Sequence, residues 1–341
     1  MGRARLIDTQ GDLVVDVKTI MRGALARAGV RPAPIAVAFE VTHRCNLACH
    51  YCDRHTEKPN EMSWLQIVGA FEELHARGMR YISLDGGEPL THPRVSDMVD
   101  WLVSRGVRTA MNTNGILVPK KLDVIKRLHK VKVSLDGPAK NHDKIRGRNA
   151  HRRAIRGAMA ARDCGVDVEF TCVVGAHNVD VIDDLLDEVD GTGLSIVFQP
   201  ARNSLFLGTD RDGSQWQPDA EATRAAFRLI EARKRMSPTL VGNAWASLKH
   251  FRRFPDDVRV PCAAGWVEVT LDPEGSFFHC GQLARSPNAP NLVRQGVGPA
   301  LAAMKLGGCS QCWCARVVEA NYRWGGRADM LLPPTLALGS A

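Results

Sequence analysis

Short runs of apolar residues, many of them β-branched, alternate with longer amphipathic stretches through the middle of the chain. The runs predict six strands, at 35–41, 81–85, 107–112, 130–136, 166–174 and 194–199. The stretches between them predict helices at 63–77, 94–105, 119–129, 149–164 and 178–189. Strands that alternate with helices of about 10–15 residues pair in parallel through right-handed crossovers. The pattern therefore predicts an α/β fold, either an open doubly wound sheet or a partial barrel.

Residues of the capping type mark the ends of several predicted helices. Ser63 and Asn178 are suited to accept a backbone N–H at a helix start. Gly78, Gly106 and Gly165 follow the last periodic residue of a helix, where a left-handed conformation is common. These positions predict where the helices begin and end.

The same patterns divide the chain into four parts. They are an N-terminal helix and linker (1–34), the βα core (35–215), a bridging helical segment (216–260) and a small cysteine-rich unit (261–341). In the first part, apolar residues at helical spacing predict a helix over 13–29. In the last part, the segment 262–280 predicts a β-hairpin whose turn is 272–275, with a cysteine at each outer end.

Polar residues follow the predicted strands at their carboxyl ends. Three cysteines follow the first strand, 86–89 follows the second, 112–115 follows the third, Ser134 and Asp136 end the fourth, and Gln199 ends the sixth. In parallel α/β folds the chemistry collects at this end of the strands. The sequence therefore predicts one functional rim.

The composition is ordinary for a globular protein, with 45% apolar and 24% charged residues. No run of about 18 uninterrupted apolar residues could cross a bilayer. Asp8, Asp12 and Asp16 interrupt the residue order of a secretory signal. We therefore expect a cytoplasmic protein without a membrane partner.

Basic residues exceed acidic residues, which gives a formal net charge of +8 and mildly favours anionic ligands. Arg152, Arg153, Arg156 and Arg162 occur at spacings that place them on the outer face of a helix. No nucleic-acid-binding motif accompanies them, so a solvated helix face explains them. We expect no nucleic-acid partner.

Ten cysteines occur in the chain. In a reducing compartment, clustered cysteines usually bind metals or act in catalysis. Cys164 and Cys172 stand apart, and we expect each to be a small buried hydrophobic residue. The other eight fall into two groups, and the first group is the triplet Cys45, Cys49 and Cys52. Three thiolates can hold a [4Fe–4S] cube and leave its fourth iron open to the amino and carboxylate groups of a small molecule.

Zinc is the alternative occupant of the first group, because thiolates suit zinc as well. A neighbouring histidine could complete a tetrahedral site: His43, His50 or His55. Structural zinc sites, however, favour paired cysteines that feed a four-ligand knot. The triplet therefore favours an iron–sulfur cluster.

The triplet, with the aromatic Tyr51 directly before its last cysteine, matches the CxxxCxΦC signature of the radical S-adenosylmethionine (SAM) superfamily. After the second predicted strand, Gly86-Gly87-Glu88-Pro89 resembles the GGEP motif of that family. The resemblance implies that the triplet holds the cluster and that the backbone and carboxylate of GGEP contact the methionine amino group of SAM. Glycine permits close backbone approach, and a carboxylate neutralises an ammonium group.

The same resemblance implies further contacts to SAM. Asn112, Ser134 and Gln199 are placed at the strand ends, and Arg146 resembles an arginine on the SAM carboxylate. The resemblance covers about 35–200 and implies a partial (βα)6 TIM-like barrel. The sequence pattern alone would also allow an open sheet.

The second cysteine group consists of Cys262, Cys280, Cys309, Cys312 and Cys314. Its spacing around a hairpin resembles the twitch or SPASM extension of radical SAM enzymes. A full SPASM domain has seven cysteines and two auxiliary clusters, so five cysteines imply one auxiliary [4Fe–4S] cluster. Four cysteines would bind it, and either Cys312 or Cys314 would not be a ligand. A zinc ribbon is the alternative.

The resemblance implies a radical SAM oxidoreductase, which cleaves SAM reductively to a 5′-deoxyadenosyl radical that abstracts a hydrogen from the substrate. An electron donor such as a flavodoxin or ferredoxin is implied as a partner. Residues 1–34 are short for a peptide-recognition domain, so we expect a two-electron oxidation of a small polar molecule in a biosynthetic pathway. One alternative is a peptide or protein maturase that forms a crosslink, an epimer or a formylglycine. Another is a non-catalytic cysteine-cluster protein that binds metal or senses redox state.

Overall fold

The computed structural model describes residues 34–201, 214–256, 260, 262–281, 286–304 and 312–324, together with 6–7, 14–15 and 21. The strands in this part of the chain are β1 (Leu6–Ile7), β2 (Val14–Val15), β3 (Ala36–Thr42), β4 (Tyr81–Gly86), β5 (Arg108–Thr113), β6 (Lys130–Ser134), β7 (Asp167–Val174), β8 (Ser195–Pro200), β9 (Glu268–Leu271) and β10 (Phe277–Phe278).

The helices of the same part are α1 (Trp64–Arg77), α2 (Val95–Ser104), α3 (Leu122–Ile125), α4 (Ala139–Arg146), α5 (Ala150–Asp163), α6 (Ile182–Asp190), α7 (Ala220–Met236), α8 (Trp245–Phe251), α9 (Leu292–Gln295), α10 (Val297–Ala302) and α11 (Ala315–Trp324). Short 3₁₀ turns lie at Arg54–Thr56, Pro89–Thr91, Val118–Lys120 and Ser214–Trp216.

Strands β3 to β8 form a parallel sheet in chain order, and β9 and β10 extend it beyond β3. β9 pairs in parallel with β3, where Glu268 lies opposite Ala36, and β10 returns antiparallel to β9. The predicted α/β fold, a partial barrel with a C-terminal hairpin, is confirmed. The sequence pattern did not predict that the hairpin joins the same sheet as the core.

The two faces of the sheet differ in chemistry, because successive strand residues point to opposite sides. One face is apolar and packs against the helices, with Phe39, Leu84, Val133 and Phe170 fully buried. The other face carries small, polar and charged residues, and we call it the polar face. Its members are Ala36, Ala38, Glu40, Ser83, Asp85, Ala110, Asn112, Lys132, Ser134, Glu169, Thr171, Val197, Gln199, Glu268 and Thr270.

The side chain of Asn243 covers the outer edge of β8 by making hydrogen bonds that a neighbouring strand would otherwise make. The Asn243 amide accepts a hydrogen bond from Phe198 N (2.7 Å) and donates one to Phe198 O (2.9 Å). A bridge between Ile196 and Val241 continues the same cover. The backbone groups of this edge are therefore satisfied without a further strand.

Helix α11 connects the two ends of the sheet. Ala315 N, at its start, donates to Gln199 Oε1 of β8 (3.0 Å). The guanidinium of Arg316 donates to the Glu268 carboxylate of β9. The helix therefore spans the opening between β8 and β9 and brings its first turn to the polar face.

Several predicted helix ends are confirmed. Ser63 caps α1: its hydroxyl accepts from Gln66 N (3.4 Å), and Gln66 Oε1 accepts from Ser63 N (2.8 Å), which is the reciprocal capping box. Gly78 ends α1 with a φ of 123°. Gly106 and Gly165 follow α2 and α5 in the same left-handed region.

The predicted cap at Asn178 is wrong. Helix α6 begins four residues later, at Ile182, and the Asn178 side chain accepts from Gly175 N (2.8 Å) and donates to Asp136 O (2.7 Å). Asn178 is fully buried. Its amide therefore joins the loops that follow β6 and β7 instead of starting a helix.

The predicted helix over 13–29 is wrong at its start. Val14–Val15 form β2, which pairs antiparallel with β1, and two consecutive β-branched residues favour a strand. Apart from Met21, the rest of that segment lies outside the described residues.

The predicted helix at 119–129 is replaced by a 3₁₀ turn and the one-turn helix α3. Helix α4 was not predicted, because its sequence, AKNHDKIR, has too few apolar residues to reveal a period. This matters for the site, since α4 ends at Arg146.

None of the helices in the described part of the chain combines the length and apolarity needed to cross a membrane. The domain limits at 34, 215 and 260 stay predictions. The pairing of β9 with β3 gives the C-terminal unit a share in the hydrogen bonding of the core.

Candidate active site at the carboxyl ends of the strands

A cleft of about 230 Å³ opens at the carboxyl ends of β3 to β6. It is lined by Cys45, Leu47, Cys49, Tyr51, Cys52, Arg54, His55, Asp85, Gly86, Gly87, Asn112, Thr113, Asn114, Ser134 and Arg146. The fold therefore gathers the first cysteine group and five of the eight predicted SAM contacts in one place. The predicted residues Glu88, Pro89 and Gln199 do not line it.

The two glycines of the GGEP segment lie against the backbone of the loop that carries the cysteines. A Cβ on Gly86 would come within 2.2 Å of Thr42 O, and one on Gly87 within 2.3 Å of Arg44 O. Gly87 N donates to Thr42 O (2.8 Å) and Glu88 N donates to Arg44 O (2.8 Å). Glycine is needed here so that the motif can hold the cysteine loop in place.

Glu88 lies behind the cleft wall, and its side chain is fully buried. One carboxylate oxygen accepts from Leu90 N (3.2 Å) and Thr113 Oγ1 (2.8 Å), and the other accepts from Asn114 N (2.8 Å). Burial raises the pKa of this carboxyl to about 7, against the effect of these donors. Glu88 therefore positions the loop after β5, and its contact with SAM stays a prediction.

Pro89 and Gln199 also lie outside the lining of the cleft, and their contacts with SAM stay predictions. Pro89 is buried as the first residue of a 3₁₀ turn, and the Gln199 side chain accepts from Ala315 N. Each fixes backbone beside the cleft and does not line it. Which residue at a strand end faces a ligand depends on partners that are remote in sequence.

Asn112 and Ser134 line the cleft, as their position at strand ends predicted. Asn112 donates to Ser83 Oγ (3.2 Å) and to Asp85, while Ser83 donates to Asp85 Oδ1 (2.7 Å). The contacts of Asn112 and Ser134 with SAM stay predictions. The Asp85 carboxylate was missed from the sequence.

Arg146 lines the cleft and belongs to a buried network under the cysteine loop. Its Nε donates to Asp136 Oδ2 (2.6 Å) and its Nη2 donates to Tyr51 Oη (2.5 Å), while the Tyr51 hydroxyl donates to Asp136 (2.5 Å). Burial alone would raise the pKa of Asp136, but the Arg146 guanidinium outweighs it and holds that pKa well below its usual range. The charge of Arg146 is thus already compensated, and its contact with the SAM carboxylate stays a prediction.

The thiols of the first cysteine group fit an iron–sulfur cluster by their chemistry. Burial raises the pKa of Cys45 and raises that of Cys49 to about 11. The thiol of Cys52 acts in the same direction on both, because the three sulfurs lie within electrostatic reach of one another. A bound metal holds a coordinating cysteine as its thiolate. The three thiols that line one cleft match the three ligands of an open cube.

His43, one of the three histidines that could complete a zinc site, already faces two carboxylates. Both ring nitrogens of His43 face carboxylates, Nε2 at 3.1 Å from Glu40 and Nδ1 at 2.7 Å from Glu57. His50 is exposed and His55 lines the cleft. Across the described residues, no three His, Cys, Asp or Glu side chains converge on a position for a single metal ion.

The second cysteine group is held by a hydrogen-bonded frame. The Asn321 amide accepts from Ala263 N (2.7 Å) and donates to Cys312 Sγ (3.7 Å). The His250 ring lies 2.6 Å from Cys312 O. Of the other four predicted ligands, Cys262 is exposed, Cys280 is half-buried, Cys314 is buried and Cys309 lies outside the described residues. The frame brings the segments of Cys262 and Cys312 together, and the ligand set stays a prediction.

An ion pair between Arg316 and Glu268 lies on the polar face, close in sequence to the second cysteine group, and it was missed from the sequence. Burial would lower the pKa of Arg316, but the Glu268 carboxylate beside it outweighs that effect and raises it, with help from Cys314, Asp85 and Cys280. Alternate polar residues in the strand sequences YISLD, KVKVS and EVTL are the signal that could have revealed a polar face here.

Gly157 of α5 is a packing contact that supports the cleft. A Cβ there would lie 2.0 Å from Gly115 O, in the loop after β5. We expect Gly157→Ala to destabilise the protein by about 1–3 kcal/mol through overpacking. Gly69→Ala in α1 is the matched control, because nothing lies within 4 Å of its Cβ, and it should stabilise by about 0.5–1 kcal/mol. Chemical denaturation of both variants checks this; equal effects would contradict it.

The bracing role of Glu88 predicts a loss of stability in Glu88→Gln. One donor among Thr113 and Asn114 would then face an N–H group, so we expect the free energy of unfolding to fall by about 1–3 kcal/mol. Glu221→Gln, at a side chain 69% exposed, should change little. Denaturation curves test this. An unchanged stability together with weakened SAM binding would instead favour a direct contact between the Glu88 carboxylate and SAM.

Comparison with known proteins identifies the core. Residues 39–189 match the Radical SAM superfamily. The chain is 28% identical to mycofactocin maturase MftC of Mycobacterium ulcerans over 73% of this chain and 68% of that protein. It is 29% identical to PqqA peptide cyclase of Ruegeria pomeroyi, again over 73% of this chain and 68% of the relative.

The fold comparison agrees with the sequence comparison. Streptococcus suis SuiB, in its structure bound to precursor peptide SuiA, has a TM-score of 0.61 at 13% identity, over 84% of this chain and 70% of SuiB. This likeness concerns the fold alone. The family of residues 39–189 accounts for the cysteine triplet and the GGEP segment, and it makes SAM and a [4Fe–4S] cluster the cofactors. The chain therefore carries a radical SAM domain over residues 39–189.

Proposed function

We propose that this radical SAM enzyme is a maturase that modifies a peptide. The observation that supports it is the similarity to two relatives, one named a mycofactocin maturase and one a PqqA peptide cyclase, each over 73% of this chain. SuiB, which shares the fold, was solved with its precursor peptide. A peptide therefore replaces the small polar molecule that the short N-terminal segment led us to expect.

The first cysteine group would hold the [4Fe–4S] cluster, and Gly86, Gly87, Asn112, Ser134 and Arg146 would border SAM. When bound, the reduced cluster and SAM supply a 5′-deoxyadenosyl radical that abstracts a hydrogen atom. A flavodoxin or ferredoxin would supply the electron.

The side chains and backbone of the protein hold the cysteine loop and the substrate in position. The Tyr51–Asp136–Arg146 network and the backbone bonds from Gly87 and Glu88 hold the cysteine loop rigid. One C–H of the substrate must lie at near-attack distance, so the side chains beside the cleft decide which atom reacts. Asn112 and Asp85 are hydrogen-bonded to each other where the polar face meets the cleft. They are the side chains best placed to position the substrate.

The second cysteine group would hold one auxiliary [4Fe–4S] cluster, framed by Asn321 and His250. Its position beside the start of α11, next to the polar face, is suited to an electron acceptor, which makes a net two-electron oxidation of the peptide the simplest reaction. An oxidised peptide would have lost two hydrogen atoms.

The test is anaerobic reconstitution with iron and sulfide, followed by dithionite and SAM. Synthetic peptides encoded by short reading frames beside the gene are then added, and mass spectrometry follows their masses. We expect 5′-deoxyadenosine and a peptide lighter by two hydrogens. A protein that is fully loaded with cluster and forms no 5′-deoxyadenosine would be a metal-binding or redox-sensing protein instead. Turnover of small molecules but of no peptide would refute the maturase.

A further inference from the structure

Arg316 contacts the polar face from helix α11 and follows the second cysteine group closely in the sequence. Arg316 is the second residue of α11, the helix that spans the opening between β8 and β9. Its guanidinium donates to Glu268 on the polar face, and it follows Cys314 of the second cysteine group by two residues. Asp85 and Asn112 of the same face line the cleft. Arg316 therefore contacts the face that leads to the cleft and is adjacent in sequence to the second cysteine group.

Most of the donors of Arg316 are not used by the protein. A guanidinium has five N–H groups, and within the described ranges Glu268 is the only hydrogen-bond acceptor found for them. Its side chain is 27% exposed, and none of its nitrogen atoms is both buried and unpaired. The remaining N–H groups of Arg316 thus face accessible space.

The shape of this group selects a carboxylate as its ligand. The guanidinium fork matches the two oxygens of a carboxylate, and a fork already fixed by one partner loses little freedom when it binds a second. Glu268 is buried and holds the arginine from one side. Arg252 is the contrasting case, because it also pairs with a buried glutamate, Glu231 (3.1 Å), but lies on the outer helices.

We propose that Arg316 binds a carboxylate of the peptide substrate, from an aspartate or glutamate side chain or from the C-terminus. This rests on the proposed maturase function. The contact would anchor the peptide at a fixed distance from the cleft and so set which of its residues is modified. The substrate class is therefore a peptide with a carboxylate close to the modified residue.

The experiment uses reconstituted holoenzyme and three matched pools of random synthetic peptides as probes. The first pool contains aspartate and glutamate with a free C-terminus, the second replaces them by asparagine and glutamine, and the third is acidic with a C-terminal amide. Immobilised enzyme captures peptides, and mass spectrometry measures the fraction of each pool that is retained. The enzymes are the parent, Arg316→Lys, Arg316→Gln and the control Arg252→Gln.

We expect the parent and Arg252→Gln to retain the pools that keep the recognised carboxylate roughly tenfold better than the pool that lacks it, as the loss of a charge-assisted pair implies. Weak retention of the second pool alone assigns the contact to a side chain. Weak retention of the third pool alone assigns the contact to the C-terminus. Arg316→Gln should lose the preference, and Arg316→Lys should keep part of it. Iron content and SAM cleavage without peptide show that each variant is intact.

Equal retention of all three pools by the parent would overturn the inference and leave the maturase function standing. A preference among the pools that persists undiminished in Arg316→Gln would do the same. Retention of no pool by the parent would refute peptide binding, and with it both proposals.

Discussion

Replacement of any one of Cys45, Cys49 and Cys52 by alanine is expected to reduce 5′-deoxyadenosine formation to background. The three thiols lie on one cleft wall within electrostatic reach of one another, and a cube that lacks one of three ligands is under-coordinated. The measurement is 5′-deoxyadenosine by chromatography after anaerobic reconstitution, with dithionite as reductant.

The folded structure should survive these substitutions, because the cysteine side chains are outside the apolar core that joins sheet and helices. Circular dichroism and the unfolding midpoint of each variant check this point. Cys164→Ala is the matched control, since Cys164 is exposed and lies away from the cleft at the end of α5. Wild-type SAM cleavage by any of the three variants would show that the triplet does not hold the cluster.

A Cys262→Ala/Cys280→Ala double variant should separate the two cysteine groups. We expect about eight irons in the parent and about four in the variant, as two cubes and one cube require. The first cysteine group lies in the loop after β3, whereas Cys262 and Cys280 flank the β9–β10 hairpin. SAM cleavage should therefore continue while the peptide is no longer oxidised.

Iron analysis, 5′-deoxyadenosine and peptide mass are the three readouts. Deuterium at the reactive position of the peptide should still appear in 5′-deoxyadenosine, because hydrogen abstraction does not need the second group. Iron near four in a fully loaded parent would favour zinc or a structural role for the C-terminal cysteines. Full product yield from the double variant would show that the second group takes no electron from the substrate.

The repeating elements could be predicted from the sequence because their periods are strict. The six core strands were placed within two residues of their observed ends, with Ser195–Pro200 predicted at 194–199. The cysteine loop and the GGEP segment were recognised as local motifs, so their position after β3 and β4 followed directly. Both depend only on residues that are neighbours along the chain.

The remaining features depend on contacts between distant residues. Nothing local shows that the Glu88 carboxylate would bind the loop after β5, or that Asn178 would bind Asp136 O in place of capping a helix. The pair of Arg316 and Glu268 forms only because α11 returns to the opening of the sheet. The hydrogen-bond partners of these polar side chains are remote in sequence and become neighbours only in the folded structure. A single sequence therefore does not show which side chains pair.

Strand β3 leaves the ribosome long before β9, its parallel neighbour on one side, because β4 to β8 are all made in between. Contacts between segments so remote in sequence form slowly, since a long loop must close before they are gained. During synthesis that edge of β3 is an unpaired template for other chains. A chain whose translation stops before β9 should therefore aggregate through β3, next to the cysteine loop, even though every residue of the radical SAM domain has already been made.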